Sequence, residues 1–251
     1  MSLTKRQLKS FRDDGFLIIR RLYGRDEIDQ LSTWIDELAA RTPRWGEDMF
    51  YYEDDGKKPG GRILSRIEKF ADHHEGLRAF INDPGLTAAV SELLGERPVL
   101  FKEKINFKVP GGDGFKPHQD IQPGWDSYAP YFISVLITVD KSTLGNGCLE
   151  LARGHHRRGL IGRPWTPLEG KELEGIDFIA CPMDAGDVTF FDCFCPHQSK
   201  ENPTNRPRRN LYLTFNRASD GDHRERYFAD KRQSYPPDNE REPGKTYRFR
   251  V

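Results

Sequence analysis

Two histidines and an aspartate are the residues whose types and spacing best suit them to chemistry. His118 and Asp120 stand in Phe115-Lys116-Pro117-His118-Gln119-Asp120, after the turn Gly111-Gly112-Asp113-Gly114. On an extended segment residues i and i+2 project to one face, so an imidazole nitrogen and a carboxylate oxygen there can reach a single ion. His197, in Pro196-His197-Gln198-Ser199 just beyond an apolar run, is the candidate third ligand. Two histidines and one carboxylate on one face of a metal leave the opposite positions open, as non-haem Fe(II) oxygen chemistry requires. The same trio can hold Zn2+ for hydrolysis, and a lone His-x-Asp is also a common hydrogen-bonded pair. Arg208 favours the iron reading, because a guanidinium at the start of a new β run could clamp a carboxylate bound beside the metal. A zinc hydrolase would leave that arginine without a task. Arg206 and Arg209 flank it, and the sequence does not choose between Arg208 and Arg209.

The surrounding periodicities say what must position these groups. Residues 4–14 read as a helix stopped by Gly15, 16–19 as an apolar strand, and 26–41 as a helix whose Ile28, Leu31, Trp34, Ile35 and Leu38 form one stripe. Residues 45–61 mix Gly, Asp and Lys with Phe50, Tyr51 and Tyr52 and read as a loop, either plain surface or folded over a site; 62–70 fits neither period. A helix over 84–94 starts from Asp83 as N-cap with Pro84 in its first turn. From Pro98 the period falls to two, with β runs at 99–109, 131–140, 148–152, 177–180, 188–194 and 209–216 separated by Gly, Pro and Asn. Many short strands without intervening helices predict a mainly β fold with covering helices, an antiparallel sandwich or jelly roll. The expected organisation is a single domain over 1–251: a mainly helical cover (1–97), a β core (98–218), and a polar tail (219–251) that either wraps the domain or is disordered.

Composition excludes several classes of partner. The 251 residues carry 39 Lys plus Arg against 39 Asp plus Glu, so no basic footprint for nucleic acid or anionic membranes exists. The longest apolar run, 133–139, is interrupted by Ser134 and Thr138 and is far too short to span a bilayer. No basic segment followed by an apolar stretch opens the chain, so a cytoplasmic location is expected. Cys148, Cys181, Cys193 and Cys195 lack CxxC spacing and read as buried thiols, Cys193 and Cys195 on one face of a strand. The expected partner is a small molecule, and the oligomeric state is not legible.

These residues also carry a family resemblance. His118-x-Asp120, then Asn146-Gly147-Cys148-Leu149-Glu150 with Gly154-His155-His156, then Gly186-Asp187, His197-x-Ser199 and Arg208 resemble the phytanoyl-CoA dioxygenase superfamily over residues 99–216. The resemblance implies a double-stranded β-helix, cupin-like, using Fe(II), 2-oxoglutarate and O2. It implies that His118, Asp120 and His197 hold iron, that Arg208 and Ser199 hold the distal carboxylate of 2-oxoglutarate, and that Asn106 contacts this co-substrate. Because Asp120 supplies the carboxylate that related halogenases lack, it implies hydroxylation rather than halogenation. Within the superfamily, residues 102–120, the run 154–160 and the tail from Ala229 to Tyr247 are similar to the bacterial 2-aminoethylphosphonate dioxygenases, which hydroxylate the carbon next to phosphorus. An oxygenase of a natural-product scaffold and a non-catalytic jelly-roll binding module are the alternatives.

The residues bear on the substrate too. In 101–109, Lys102, Lys104, Asn106 and Lys108 alternate with Phe101, Glu103, Ile105, Phe107 and Val109, so one face is cationic. Facing the metal, it would favour a small anion; facing water, it is a lysine-protected edge strand. Trp125, Tyr128 and Tyr131 could form an aromatic cage for a quaternary ammonium, or simply pack. Asp192 could orient a substrate amine, support the metal site, or make a structural hydrogen bond. His155 and His156 suit a turn, and His73, His74 and His223 suit the surface.

Overall fold

Thr4 starts the first helix by accepting a hydrogen bond from the Gln7 amide while the Gln7 side chain returns to the Thr4 amide, and Gly15 ends it in the left-handed region at φ 80°. A computed structural model describes residues 1–54, 60–111 and 114–247. The first part of the chain forms α1 (Lys5–Asp14), β1 (Phe16–Ile19), α2 (Arg25–Ala39), β2 (Met49–Asp54), β3 (Arg62–Glu68), α3 (Glu75–Ile81) and α4 (Pro84–Leu94). It is thus less purely helical than its periodicity predicts. β2 lies where a loop is expected, because Met49, Phe50 and Tyr51 are all buried: Phe50 packs into the core beneath the helices and Tyr51 into a second cluster on the opposite side. A strand covered on both faces shows no alternation. Residues 55–59 of the expected 45–61 loop and Gly112-Asp113 of the turn before β5 lie outside the described residues.

The β core follows as β4 (Pro98–Lys108), β5 (Phe115–His118), β6 (Ile133–Thr138), β7 (Leu149–Ala152), β8 (Phe178–Cys181), β9 (Val188–Asp192), β10 (His197–Ser199) and β11 (Arg208–Arg217). These strands fall into two antiparallel sheets, ordered β1-β9-β6-β11-β4-β3-β2 and β5-β10-β7-β8. Their alternation between the sheets gives the expected jelly-roll winding. Ile133, Val135 and Ile137 of β6, with Leu211, Leu213 and Phe215 of β11, face outward and are buried beneath Leu31, Ile35, Leu38, Leu86 and Val90 of the helices. Burying a side chain of this kind contributes about 1.5–3 kcal/mol. The opposite face of the large sheet looks toward the small sheet, where Leu136 and Phe191 meet Leu149, Leu151 and Cys181.

Strand alternation therefore points Lys102, Lys104, Asn106 and Lys108 inward, opposite Thr214, Tyr212, Asn210 and Arg208 of β11. The edge-strand reading of the lysines fails, since β4 lies between β11 and β3. Phe101 departs from its expected face: the register skips it between Lys102 and Leu100, and it joins the cluster of Trp125, Phe132 and Tyr227.

The described part of the tail packs against the domain and contains α5 (Arg224–Ser234). Its sequence shows no apolar stripe. Ion pairs hold it instead: Arg224 grips buried Glu103 at 2.5 Å and Asp72 at 2.9 Å, and Lys231 grips buried Glu68 at 2.5 Å. The four cysteines are free and buried, but Cys193 and Cys195 follow β9 rather than lie on it and pack into different clusters.

Candidate active site

β5 and β10 pair so that His118 and His197 sit directly opposite each other, their ring centroids 4.2 Å apart. Asp120 is not on the same strand as His118. β5 stops at His118, and a turn brings the carboxylate back to within 3.7 Å of His197 Nε2. One ligand atom from each residue lies within 4.8 Å of the others. Gln119, fully buried between two of them, fixes the turn: its amide donates to Gln122 Oε1 at 2.8 Å and its side chain to the carbonyls of Gly159 and Phe194 at 2.7 and 2.6 Å.

The hydrogen bonds suit this trio to a metal. His118 Nδ1 lies 2.7 Å from the Lys116 carbonyl and His197 Nδ1 3.0 Å from the Cys195 carbonyl. A carbonyl only accepts, so each Nδ1 carries the hydrogen and each Nε2 keeps a free lone pair. Ser134 Oγ donates to Asp120. Burial, then the neighbouring His197, pushes His118 down to about 3, so the imidazole is neutral and ready to ligate. Burial opposes the charge on Asp120, yet His197, Lys104, His118 and the Ser134 hydroxyl together hold it below its ordinary value. Two imidazole nitrogens and one anionic oxygen, with no fourth ligand in the cluster among the described residues, fit Fe(II) with open positions.

A second cationic pocket closes the end of β11. Arg208 is 5% exposed, and its Nη2 donates to the Gly147 carbonyl at 2.9 Å. Lys108 Nζ donates to Ser199 Oγ at 2.8 Å and to the Lys200 carbonyl. Among the described residues no carboxylate pairs with Arg208 or Lys108, so a buried guanidinium and ammonium stand ready for an incoming anion. Burial, then Arg208, lowers Lys108 to about 7. Gly147 makes the approach possible: at φ 70° any Cβ would run into the Lys200 and Glu201 carbonyls. Arg209 takes the other face of β11, bound to Asp140 at 2.8 Å and Asp36 at 2.7 Å, so alternation leaves Arg208 as the inward arginine.

Beside the trio lies a cavity of about 1510 Å³ lined by Lys102, Lys104, Asn106, His118, Asp120 and Trp125 and closed on its far side by α5. Sequence reasoning missed Arg66 and Glu68 of β3 and Tyr227 and Lys231 of α5, which also line it. The Lys-Arg run in the tail was visible, but nothing local said that it turns inward. Burial, then Lys104 and Lys231, drives Lys102 well below its ordinary value. Its Nζ lies 4.4 Å from the Trp125 ring centroid, so that aromatic face is already covered.

Three expected substrate contacts are placed differently. Lys108 belongs with Ser199 and Arg208, not with the cavity wall. Asp192 does not line the cavity; its oxygens accept from Tyr131 Oη and the Phe194 amide, each at 2.8 Å, making it a brace for the segment leading to His197. Tyr131 does not line the cavity either; its ring carries the Arg217 guanidinium at 5.2 Å. His156 lies in a short turn over 155–158 and reaches the Arg12 carbonyl of α1 at 3.2 Å, whereas His74, expected at the surface, is buried and caps α3 by accepting from the Leu77 amide at 3.2 Å.

Comparison with known proteins agrees with this geometry. The family model described as Phytanoyl-CoA dioxygenase (PhyH) matches residues 11–210. A 2-aminoethylphosphonate dioxygenase from an uncultured bacterium (HF130_AEPn_1) is 37% identical over 246 residues, covering 97% of this chain and 93% of that protein. A methylphosphonate hydroxylase from Gimesia maris is 35% identical over 239 residues, covering 93% and 88%. In fold, the chain is similar to EctD from S. alaskensis, a structure holding 2-oxoglutarate and 5-hydroxyectoine, with a TM-score of 0.75 and 22% identity over 87% of this chain and 77% of that one. No helix among the described residues is long and apolar enough to cross a membrane.

Proposed function

The chain belongs to the phytanoyl-CoA dioxygenase family, and from that premise we propose that it hydroxylates a small phosphonate, 2-aminoethylphosphonate or a close analogue, at the carbon next to phosphorus. It is an Fe(II)- and 2-oxoglutarate-dependent dioxygenase that acts on a small molecule. His118, Asp120 and His197 hold the iron; Arg208 and Ser199, with Lys108 beside them, take the distal carboxylate of 2-oxoglutarate; Asn106 contacts the co-substrate from β4. When bound, Fe(II) couples decarboxylation of 2-oxoglutarate by O2 to insertion of one oxygen into a C–H bond, giving succinate, CO2 and the alcohol.

The protein's own residues position and exclude. Backbone carbonyls orient the two imidazoles, Ser134 holds Asp120, and the cationic pocket behind β11 fixes which end of the 2-oxo acid points inward. The observation that carries the substrate reading is the inward face of β4. The Lys102 and Lys104 amines face inward next to the trio, without a carboxylate within ion-pair distance among the described residues, and burial disfavours their charge until an anion arrives. Such groups favour an anion strongly, and the two relatives named for phosphonates lend the anion a chemical class. An ammonium end would face Asp230 and Glu53, the further carboxylates lining the cavity. The cavity's volume, larger than a two-carbon phosphonate fills, favours as second reading an oxygenase of a bulkier natural-product scaffold.

The test is succinate release by the Fe(II)-loaded protein with 2-oxoglutarate and a panel of 2-aminoethylphosphonate, methylphosphonate, their carboxylate analogues and larger anions. Phosphonate-stimulated succinate with a matching hydroxylated product is expected. Stimulation by the carboxylates or larger compounds but not by phosphonates would overturn the reading.

A further inference from the structure

The groups that serve the metal and the 2-oxo acid (His118, Asp120, His197, Ser199 and Arg208) all lie within residues 11–210, the segment the family model covers. The far wall of the cavity does not. α5 begins at Arg224 and sends Tyr227 and Lys231 into the same space as Lys102. Lys102 Nζ is 3.4 Å from Tyr227 Oη, and both the Lys102 and Lys231 ammonium groups lie over the Tyr227 ring, at 5.4 and 5.8 Å from its centroid. Two ammonium groups thus flank one phenol, one from the sheet and one from the helix.

Amines outnumber carboxylates in this chamber. Lys102, Lys104 and Lys231 line the inner wall, and apart from the metal ligand Asp120 the buried carboxylate facing them among the described residues is Glu68. Glu68 is shared between Lys231 at 2.5 Å and Arg66 at 2.9 Å. A buried excess of cations is costly unless an anion completes it. A dianion with three oxygens matches the number and spread of donors better than a monoanionic carboxylate does.

We propose that Lys231 is a specificity-determining residue that, with Lys102 and Tyr227, binds the substrate's oxyanion group, Glu68 holding the Lys231 ammonium in place until that group arrives. The proposal rests on the phosphonate reading for the identity of the anion. It assigns selectivity to a helix outside the segment that the family model matches, so the catalytic core and the recognition wall come from different parts of the chain.

Equilibrium titration of methylphosphonate, which has no amine, into the full-length Fe(II)- and 2-oxoglutarate-loaded protein without O2 tests this directly. Lys231→Met should raise the dissociation constant at least tenfold and Lys231→Arg should recover most of it, with 2-oxoglutarate affinity unchanged in both. Glu68→Gln should tighten methylphosphonate several-fold, because it removes the competing anion; a merely structural Glu68–Lys231 pair would weaken binding in both variants. If Lys231→Met misfolds, Lys231→Met/Glu68→Gln, which also neutralises the carboxylate that Lys231 no longer faces, takes its place. Equal methylphosphonate binding by wild type and Lys231→Met overturns the inference, even if wild type hydroxylates phosphonates and the functional reading stands. Tight, Lys231-dependent binding without phosphonate turnover supports the inference and overturns the functional reading. No methylphosphonate binding by wild type overturns the inference, with turnover measured separately.

Discussion

The metal end of the cavity and its far wall are built on different principles. At the metal end, backbone register does the positioning: His118 and His197 face each other because β5 pairs with β10, and short bonds to main-chain carbonyls fix both rings. At the far wall, long charged side chains do it: α5 is held by Arg224 on Glu103 and Lys231 on Glu68, with Tyr227 and Phe228 as its buried aromatics. The first kind of support tolerates no displacement and suits chemistry that every relative must perform. The second can be altered one residue at a time without disturbing the sheets, and so suits a change of substrate.

Perturbing each end separately would break this contrast if it is wrong. The largest effect is expected from His118→Ala, which removes a ligand: turnover should fall by about 10^3-fold or more, while the melting temperature of the metal-free protein stays close to wild type. Wild-type succinate production in that variant would refute the metal assignment. Arg224→Met should do the reverse. It leaves Glu103 buried and unpaired, at a cost of roughly 3 kcal/mol in denaturant unfolding, with Fe(II) binding intact in the folded fraction. Arg208→Ala should raise the KM for 2-oxoglutarate by up to about 100-fold, the equivalent of one charge-assisted bidentate contact, and Arg209→Ala should not; equal effects would show that strand alternation does not separate the two.

Two smaller effects sharpen the comparison. Ser134→Ala removes the hydroxyl bonded to Asp120 and should weaken Fe(II) binding about tenfold. The pH dependence of stability tests the cationic pocket. Lys108 is held at about 7 by burial and Arg208, against an unfolded value of 10.5, so between pH 7 and 8 the unfolded chain binds more protons than the folded one. Stability of the metal-free protein should therefore rise across that interval, by about 1 kcal/mol. Saturating 2-oxoglutarate, by restoring a counter-charge, should flatten the rise; a flat profile without it would mean that Lys108 stays charged in the folded protein.

What could be read from the sequence follows how far each signal reaches. Period two along 99–109 placed Lys102, Lys104 and Asn106 on one face, Gly15 marked where α1 ends and the cap at Asp83 where α4 begins, because alternation and capping involve neighbours a few residues apart. The same local logic put Asp120 on a strand with His118, and failed: the turn that returns its carboxylate is fixed by Gln119 bonding to Gly159 and Phe194, residues far along the chain. Asp192 illustrates the same limit, being a carboxylate on the right strand whose oxygens are taken by Tyr131 and the Phe194 amide.

The sequence by itself determined the metal-binding residue types, their order, the β-rich core and the cationic face of β4. Only the tertiary structure decided that Arg208 rather than Arg209 turns inward, that Lys108 joins it, and that α5 supplies the far wall. The reason is physical. An amphipathic stripe or an alternating strand records in its own residues the face it will bury, whereas an ion pair such as Lys231–Glu68 joins two charged residues that each look solvent-facing until the fold brings them together.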